Sequence, residues 1–170
     1  PELPGRLRTA VFTEYLRLRK YMYVPSVSNI TSPLVIAPKP NSLQGCRFCG
    51  DYKIVNTFMP FRIAYIPVVL QELNKAAMSK FYIDFDMRTA FHQVILAEET
   101  SHNLSILTPW GNISPLFMPE GISSASGILN SIMTEIFEPE SKHTIAIFDN
   151  FLVIAQSYRD CYEKLVRFLT

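Results

Sequence analysis

The sequence lacks the features that define several protein classes. It has three cysteines in 170 residues, an odd number, so a disulfide framework is not expected and a reducing compartment is favoured. No apolar run reaches the roughly 18–20 residues of a membrane span, because charged residues or prolines interrupt every candidate. Only 18% of the residues are charged and 48% are hydrophobic, which excludes a disordered or fibrous protein. The length suits about one domain with a sizeable core.

Charge is distributed unevenly along the chain, although the formal net charge is only +1. Residues 1–80 contain eleven Lys and Arg against four acids, a net of +7. Residues 81–170 contain five Lys and Arg against eleven acids, a net of −6. This division predicts a first half that holds a polyanion and a second half with a cation site. Solvated surface charge that happens to be uneven is the alternative.

Hydrophobic periodicity predicts an α+β fold in which helices cover one face of a small antiparallel sheet. Helices are expected over residues 6–22 and 124–138, after Pro67, and between Tyr158 and Leu169. Strands are expected at residues 34–37, 47–53, 81–86, 104–107, 113–117, 145–147 and 152–155. One hairpin would have a polar tip at 39–45 and another would turn at 148–151, whereas the Pro- and Ser-containing stretch 24–33 is expected to be irregular.

Two carboxylates stand at predicted strand ends. Asp86 ends the strand 81–86, and Asp149 lies at the tip of a hairpin 63 residues later. Carboxylates in such places can converge on a hard cation such as Mg²⁺, which prefers oxygen ligands. Asp-Asn is also a good two-residue hairpin turn, an alternative that is at least as consistent with these residues alone. Asp84 shares the face of Asp86 and is interpreted as a surface charge.

Several motifs, in a fixed order, resemble those of reverse transcriptases. Residues 32–39 and 47–56 resemble the fingers hairpin of the retroelement enzymes, and residues 82–93 resemble the palm strand with their first catalytic Asp. Trp110-Gly111 and the Met-Pro-Glu-Gly segment 118–121 are similar to the region of their Met-Pro-x-Gly turn, and residues 147–152 to their Tyr-x-Asp-Asp hairpin. The resemblance covers about residues 4–168 and is strongest to gypsy-type LTR retrotransposons, with pararetroviruses next.

The resemblance implies the fingers and palm of a right-hand polymerase. Residues 1–80 would be a fingers-like region with the basic hairpin, and residues 81–170 a palm-like region with the metal site. The thumb and RNase H domains of the family would be absent from the chain and belong to a larger polyprotein. The implied activity is that of an RNA-directed DNA polymerase, which transfers deoxynucleotides to the 3′-hydroxyl of an RNA or DNA primer–template. The implied location is intracellular, in a cytoplasmic particle or the nucleus, with no membrane partner.

The resemblance also assigns roles to single residues. Asp86, Asp149 and Asn150 would be the catalytic positions, and Asp86, Asp149 and the Met87 carbonyl would bind two Mg²⁺ or Mn²⁺ ions. A second set would contact the incoming deoxynucleoside triphosphate: Lys39, Arg47, Met87, Phe91, Glu120 and Gly121.

A physical reason supports the roles of three members of this second set, Arg47, Lys39 and Phe91. The planar guanidinium of Arg47 suits bidentate contact with the triphosphate, with help from Lys39; a surface charge on a strand is the alternative. Phe91 would lie beneath the incoming sugar, where a bulky ring excludes a ribose 2′-hydroxyl, so the product would be DNA. A core position is the alternative for Phe91.

Cys46 and Cys49 lack a second ligand pair, which disfavours zinc.

Three departures from the family pattern bear on activity. Asn150 stands where the family has a third carboxylate, and an amide supplies an oxygen without the negative charge. Ile147 replaces the residue that usually opens that motif, and Glu120 places an acid beside the expected triphosphate, where like charge repels it. The alternative function is therefore a decayed or domesticated module that binds nucleic acid or a host protein without turnover.

Overall fold

The computed structural model describes residues 5–38, 45–60, 69–147 and 149–169. The α-helices in these segments are α1 (Gly5–Arg19), α2 (Lys53–Phe58), α3 (Val69–Ala77), α4 (Glu98–Asn103), α5 (Ala125–Phe137) and α6 (Tyr158–Leu169). The strands are β1 (Tyr23–Pro25), β2 (Thr31–Pro38), β3 (Cys46–Gly50), β4 (Phe81–Asp86), β5 (Ser105–Thr108), β6 (Gly111–Pro115), β7 (Thr144–Ile147) and β8 (Asn150–Ala155). Short 3₁₀ helices cover Ala90–Gln93 and Glu138–Glu140. Across the described segments, no helix combines the length and apolar character needed to cross a membrane.

The chain forms two compact units, and each is drawn from two stretches of sequence. The five-stranded unit comprises Pro1–Pro60 and Phe91–Ala125, and the three-stranded unit comprises Phe61–Ala90 and Ser126–Thr170. Counted by unit, eight Lys and Arg against six acids give the first a net charge of +2, and eight against nine give the second −1. The net charges of +7 for residues 1–80 and −6 for residues 81–170 therefore arise from shorter charged segments, and neither is the net charge of a compact unit. The assignment of a fingers-like and a palm-like region stays a prediction.

The five-stranded unit is built on a mixed sheet with strand order β1-β6-β5-β2-β3. Its neighbouring strands are antiparallel except β2 and β5, which run parallel. Helix α1 contacts β1 and β3, and it buries Val11, Tyr15 and Leu18, which repeat on one face of the helix. Ile106 and Ile113, paired between β5 and β6, are almost fully buried and extend this core across the sheet.

The three-stranded unit contains an antiparallel sheet with strand order β4-β8-β7. One face carries an aromatic cluster in which Phe85 and Phe151 meet Phe137 of α5 and Phe168 of α6, with ring centroids 4.7–5.5 Å apart. Because side chains alternate along a strand, the residues between these phenylalanines point to the other face. There Ala76 of α3, Ile145 and Ile154 form a smaller apolar cluster.

The expected antiparallel sheet covered by helices is correct only in part. Two sheets are present among the described residues instead of one, and the larger is mixed because β2 and β5 pair in parallel. The predicted strand 81–86 has the bounds of β4, and the predicted hairpin around 148–151 is confirmed as the β7–β8 pair. The hairpin tip at 39–44, including Lys39, and the first-turn Pro67 lie outside the described residues.

Three other expectations for local structure were wrong in physically informative ways. The helix predicted for 6–22 ends at Arg19, because Tyr23–Pro25 is taken up as an edge strand against β6. The stretch 24–33 is therefore not irregular throughout, since Thr31–Pro33 also pairs with β5. The strand predicted for 47–53 ends at Gly50, and Lys53 is the first residue of α2.

Gly50 generates a test of this turn from strand to helix. A Cβ atom added there would lie 2.5 Å from Cζ of Tyr52, which is buried and donates its hydroxyl to the Leu104 carbonyl at 3.1 Å. The ring cannot move without losing this bond, so Gly50→Ala should lower the free energy of unfolding by about 1–3 kcal/mol. Urea denaturation measures the change.

The control for Gly50→Ala is the same change in a Tyr52→Leu background. Leucine leaves room for the added methyl group, so the loss there should fall to less than about half. Equal losses in the two backgrounds would contradict the proposed clash.

Candidate active site

The two predicted catalytic aspartates are brought to one end of the three-stranded sheet. Strands β4 and β8 pair along their whole length, from Phe81 opposite Ala155 to Asp86 opposite Asn150. Just beyond the last pair, the Met87 N–H donates a hydrogen bond to the Asp149 carbonyl at 2.7 Å. Asp86, the last residue of β4 in the ladder, and Asp149, in the turn that precedes β8, are therefore close at this end although they are 63 positions apart in sequence.

The side chains at this end of the sheet divide cleanly between its two faces. Phe85 lies opposite Phe151 on the face with the aromatic cluster, so Asp86 and its partner Asn150 lie on the other face. Asp86 and Asn150 are exposed and Asp149 is half-buried. The Asn150 amide Nδ2 donates to Asp149 Oδ1 at 3.3 Å, so these two side chains meet. Asp84 is exposed on the face of Asp86, as its alternation predicts.

The backbone contradicts the alternative in which Asp149 and Asn150 together form only a tight turn. Asn150 is paired with Ile147 between β7 and β8, so it belongs to the strand and Asp149 to the turn. Neither has a positive φ, the property that makes Asn and Asp favourable in the common two-residue hairpin turns. Among the described non-glycine residues, Thr89 alone has a positive φ, at 52°. A positive φ is unusual for a β-branched residue. Thr89 lies three positions after Asp86 in sequence.

The oxygen donors at the strand ends suit a hard divalent cation, although there are few of them. Two carboxylates, an amide oxygen and the Met87 carbonyl are oxygen donors, and Mg²⁺ binds through one or two carboxylates while keeping several waters. Over the described parts of the chain, no group of three or more His, Cys, Asp and Glu side chains is placed to hold a metal. The site therefore suits a weakly held, partly hydrated ion, with Asn150 in the place where a third charge would strengthen it.

The predicted nucleotide-binding residues that the structure describes, other than Met87, lie in the five-stranded unit. Arg47 is exposed on β3, paired with Ala37 of β2, and shares a face of the strand with Cys49. Phe91 is half-buried in the 3₁₀ helix Ala90–Gln93 and is thus not a fully buried core residue. Glu120 is exposed and is followed by Gly121, whose φ of +95° is a conformation that favours glycine.

The turn containing Glu120 and Gly121 is held by a residue that the sequence did not single out. The Asn56 side chain on α2 donates from Nδ2 to the Gly121 carbonyl and accepts from the Ser123 N–H, both at 2.9 Å. Asn56 lies 65 and 67 positions before its two partners in sequence, so no local pattern marks it. Tyr52, at the start of α2, lies beneath the same turn, within contact distance of a Cβ added at Gly121.

Glu120 gives this part of the five-stranded unit a negative potential. Burial raises the pKa of Tyr23 to about 12, and the charges of Cys49 and Glu120 add to the shift. Burial also raises the pKa of the Cys49 thiol, an effect that Glu120 increases and Arg47 opposes. Burial lowers the pKa of His92, whereas Glu120 favours its protonated form. A single exposed carboxylate thus acts on three neighbouring groups, with the sign that disfavours a triphosphate.

Comparison with known proteins gives relatives in sequence and in structure. No protein-family model matches the chain. The Transposon Tf2-7 polyprotein of Schizosaccharomyces pombe is 29% identical over 129 residues, and the Tf2-3 polyprotein of the same yeast is 27% identical over 126. Each match covers 74% of this chain, which spans about 9% of the length of these curated relatives.

Solved structures share the fold at lower sequence identity. The foamy viral protease–reverse transcriptase in complex with RNA/DNA hybrid matches 99% of this chain and 22% of its own, with a TM-score of 0.86 and 14% identity. The same enzyme in complex with dsDNA matches 99% of this chain and 35% of its own, with a TM-score of 0.86 and 13% identity. The chain has a reverse-transcriptase-like fold. The expected resemblance to retroelement reverse transcriptases is confirmed at that level.

The clamp formed by Asn56 leads to a prediction about this turn. Asn56→Ala removes the acceptor of the Ser123 N–H, so exchange of that amide with solvent should accelerate about fivefold, the effect of one hydrogen bond worth about 1 kcal/mol. Hydrogen exchange followed by NMR measures the rate. Thr57→Ala is the matched control, because Thr57 on the same helix bonds only to the Ile54 carbonyl in the contacts described. Unchanged exchange at Ser123 in Asn56→Ala would refute the clamp.

Proposed function

We propose that this chain is the fingers and palm portion of a reverse transcriptase from a gypsy-type LTR retrotransposon or a related pararetrovirus. Its activity would be RNA-directed DNA polymerisation, and its other domains, thumb and RNase H, would lie elsewhere in a larger polyprotein. The similarity to transposon polyproteins over 129 residues supports the retroelement origin. The reverse-transcriptase-like fold supports the type of domain.

One observation carries the proposal. The ladder between β4 and β8 puts Asp86 opposite Asn150 and joins Met87 to Asp149, so the residues predicted as catalytic from motif order meet at one sheet end. Composition and periodicity give no reason for two distant aspartates to meet in this way. A shared catalytic role for Asp86 and Asp149 gives that reason.

Asp86, Asp149 and the Met87 carbonyl would hold Mg²⁺ or Mn²⁺ in this function. When bound, such ions activate the primer 3′-hydroxyl and neutralise charge on the transferring phosphate. The chain's own contribution is to fix the backbone of both residues, so that only their side chains are ordered when the ion arrives. Asn150 keeps Asp149 oriented through its amide but adds no negative charge. We therefore expect metal affinity below that of a site with three carboxylates.

The substrates in this proposal are a primer–template of RNA or DNA and deoxynucleoside triphosphates. The foamy viral neighbours are described in complex with RNA/DNA hybrid and with dsDNA, which supports nucleic acid as the partner. Arg47, with Lys39, would contact the triphosphate through charge-assisted hydrogen bonds. Phe91, which is half-buried and so keeps an accessible ring, would select deoxyribose. Gly121 would let the backbone of its turn approach the nucleotide, while Glu120 would weaken binding by repulsion.

A second function is favoured by the same departures. Asn150 and Glu120 both change charge in the direction that opposes polymerase chemistry, one by removing a negative ligand and the other by adding a negative neighbour. A decayed or domesticated module that binds nucleic acid or a host protein would tolerate both. The two functions differ in whether the site binds metal and extends a primer, so both can be measured.

The metal site leads to the first prediction for this function. Calorimetric titration with Mg²⁺ and Mn²⁺ should show binding that weakens at least tenfold in Asp86→Asn and in Asp149→Asn. Asn150→Asp should tighten binding at least about tenfold, because a unit charge about 4 Å from a divalent ion contributes about 2 kcal/mol even at the dielectric constant of water.

Asp84→Asn is the matched control for these variants. It removes the same charge from the same strand and face, two positions from Asp86, and should change affinity by less than about threefold. An Asp84→Asn variant that loses as much affinity as Asp86→Asn would show a diffuse acidic surface in place of a defined site.

Primer extension separates the two functions. Within the longer protein that the proposal implies, Asn150→Asp should raise the rate of extension on a primed RNA template about tenfold, and Mn²⁺ should partly rescue the unchanged protein. Glu120→Gln should add to the gain by relieving repulsion of the triphosphate. The 170-residue chain alone should show no processive synthesis, since the proposal assigns the thumb that would hold the duplex to another part of the polyprotein. If neither variant nor the double variant extends a primer in either metal, the binding-module function is the correct one.

A further inference from the structure

The positive charge of the five-stranded unit is concentrated in one helix. Residues 5–20, which comprise α1 and the residue after it, hold five Lys and Arg against one acid, a net of +4. The unit as a whole is only +2, so the rest of it is net −2. A local field of one sign on an otherwise acidic unit favours binding of an anion at the helix rather than general attraction to the protein.

Four side chains of α1 and the following Lys20 form a continuous surface, here called the basic stripe. Its members are exposed and recur at helical spacing along one side of α1: Arg8, Phe12, Leu16, Arg19 and Lys20. The opposite flank is neutralised, because Arg17 forms a 2.7 Å ion pair with Glu14. The basic stripe therefore presents three of the four net positive charges of residues 5–20, those of Arg8, Arg19 and Lys20.

The basic stripe also has an aromatic component. The Phe12 ring lies 5.0 Å from the Trp110 ring, centroid to centroid, and both side chains keep some exposure. Tyr15 packs beside both rings, and the guanidinium of Arg19 lies over the Tyr15 ring at 5.8 Å. Cations interleaved with partly open rings are the surface that single-stranded nucleic acids use, since phosphates pair with the cations and bases stack on the rings.

The dimensions of the basic stripe agree with this ligand. Arg8 and Arg19 are eleven residues apart, which is about 16 Å along a helix rising 1.5 Å per residue. At about 3.4 Å per nucleotide of a strand, that length matches roughly five phosphates. A segment of four or more nucleotides is within the range that single-strand sites occupy.

Two other partners fit the basic stripe less well. An acidic peptide would satisfy the cations, but it places rings against Phe12 and Trp110 only where its own sequence has aromatic residues, whereas every nucleotide carries a base. A membrane surface needs an apolar face that can insert, and the basic stripe offers only Phe12 at 39% exposure and Leu16 at 47%. We propose that the basic stripe of α1 binds single-stranded nucleic acid through its phosphates and bases, without sequence preference.

This proposal rests on the charge and ring exposure of α1 and not on the proposed polymerase function. The basic stripe belongs to the five-stranded unit, whereas Asp86 and Asp149 belong to the three-stranded unit. Binding by the basic stripe would persist in a decayed module and in an active polymerase alike.

The test is the salt dependence of binding to labelled oligothymidylate and oligouridylate of roughly 12 nucleotides, measured by fluorescence anisotropy with the 170-residue chain. The double variant Arg8→Gln/Arg19→Gln should bind at least about fivefold more weakly at low salt. Its slope of log affinity against log salt should be smaller in magnitude by about 1.4, because each lost contact with a single-strand phosphate removes about 0.7. Phe12→Leu, which keeps an apolar side chain but removes the ring, should weaken binding about fivefold with an unchanged slope.

The matched control removes the same charge elsewhere. Lys142→Gln/Arg159→Gln changes two exposed cations of the three-stranded unit and should alter affinity by less than about twofold. An equal loss in both double variants would overturn the proposal in favour of general attraction. Competition by polyglutamate as effective as that by the oligonucleotide would overturn it in favour of an acidic protein partner. Thermal unfolding confirms that each variant is folded.

One further variant separates this proposal from the polymerase function. Asp86→Asn/Asp149→Asn should bind the oligonucleotides like the unchanged chain while losing its divalent ions. Strand binding by the unchanged chain without any binding of divalent ions would overturn the polymerase proposal alone. Loss of strand binding in this variant would overturn the assignment of the ligand to α1.

Discussion

The register between β4 and β8 is the constraint on which the candidate active site depends. Phe85 and Phe151 face each other within the aromatic cluster, and this places Asp86 opposite Asn150 on the other face. A slip of one residue would turn every side chain of β4 to the opposite face, burying Asp86 and exposing Phe85. The hydrophobic core thus fixes the position of the carboxylates, although no core residue is itself a ligand.

The aromatic cluster contributes more free energy to folding than the repulsion between the two carboxylates removes. Packing of the four phenylalanine rings contributes several kcal/mol to folding, whereas water partly screens the repulsion between exposed Asp86 and half-buried Asp149. The fold can therefore hold Asp86 and Asp149 together without an ion present. Asn150 keeps this repulsion lower than a carboxylate at the same position would, which stabilises the unit but gives it one negative charge fewer for a cation. That exchange is the physical link between the two functions considered for the chain.

The sequence predicted the parts of the fold that depend on local pattern. Alternation identified β4 and helical spacing identified α6, because both elements carry one apolar face over their whole length. The order of motifs pointed to Asp86 and Asp149, which periodicity alone left as strand-end charges. The sequence missed the edge strand Tyr23–Pro25 and the parallel pairing of β2 with β5, since each depends on a partner distant along the chain. Asn56 was missed for the same reason, because its two partners at the Gly121 turn lie more than 60 residues away.

The central claim is that Asp86 and Asp149 form one divalent metal site. Anomalous diffraction from crystals soaked in Mn²⁺ tests it most directly, because the signal gives the position of the ion itself. The account predicts a peak with oxygen atoms of both carboxylates about 2.0–2.6 Å away, and carboxylates no more than roughly 8 Å apart. A peak bound by only one of them, or carboxylates farther apart than that, would contradict it.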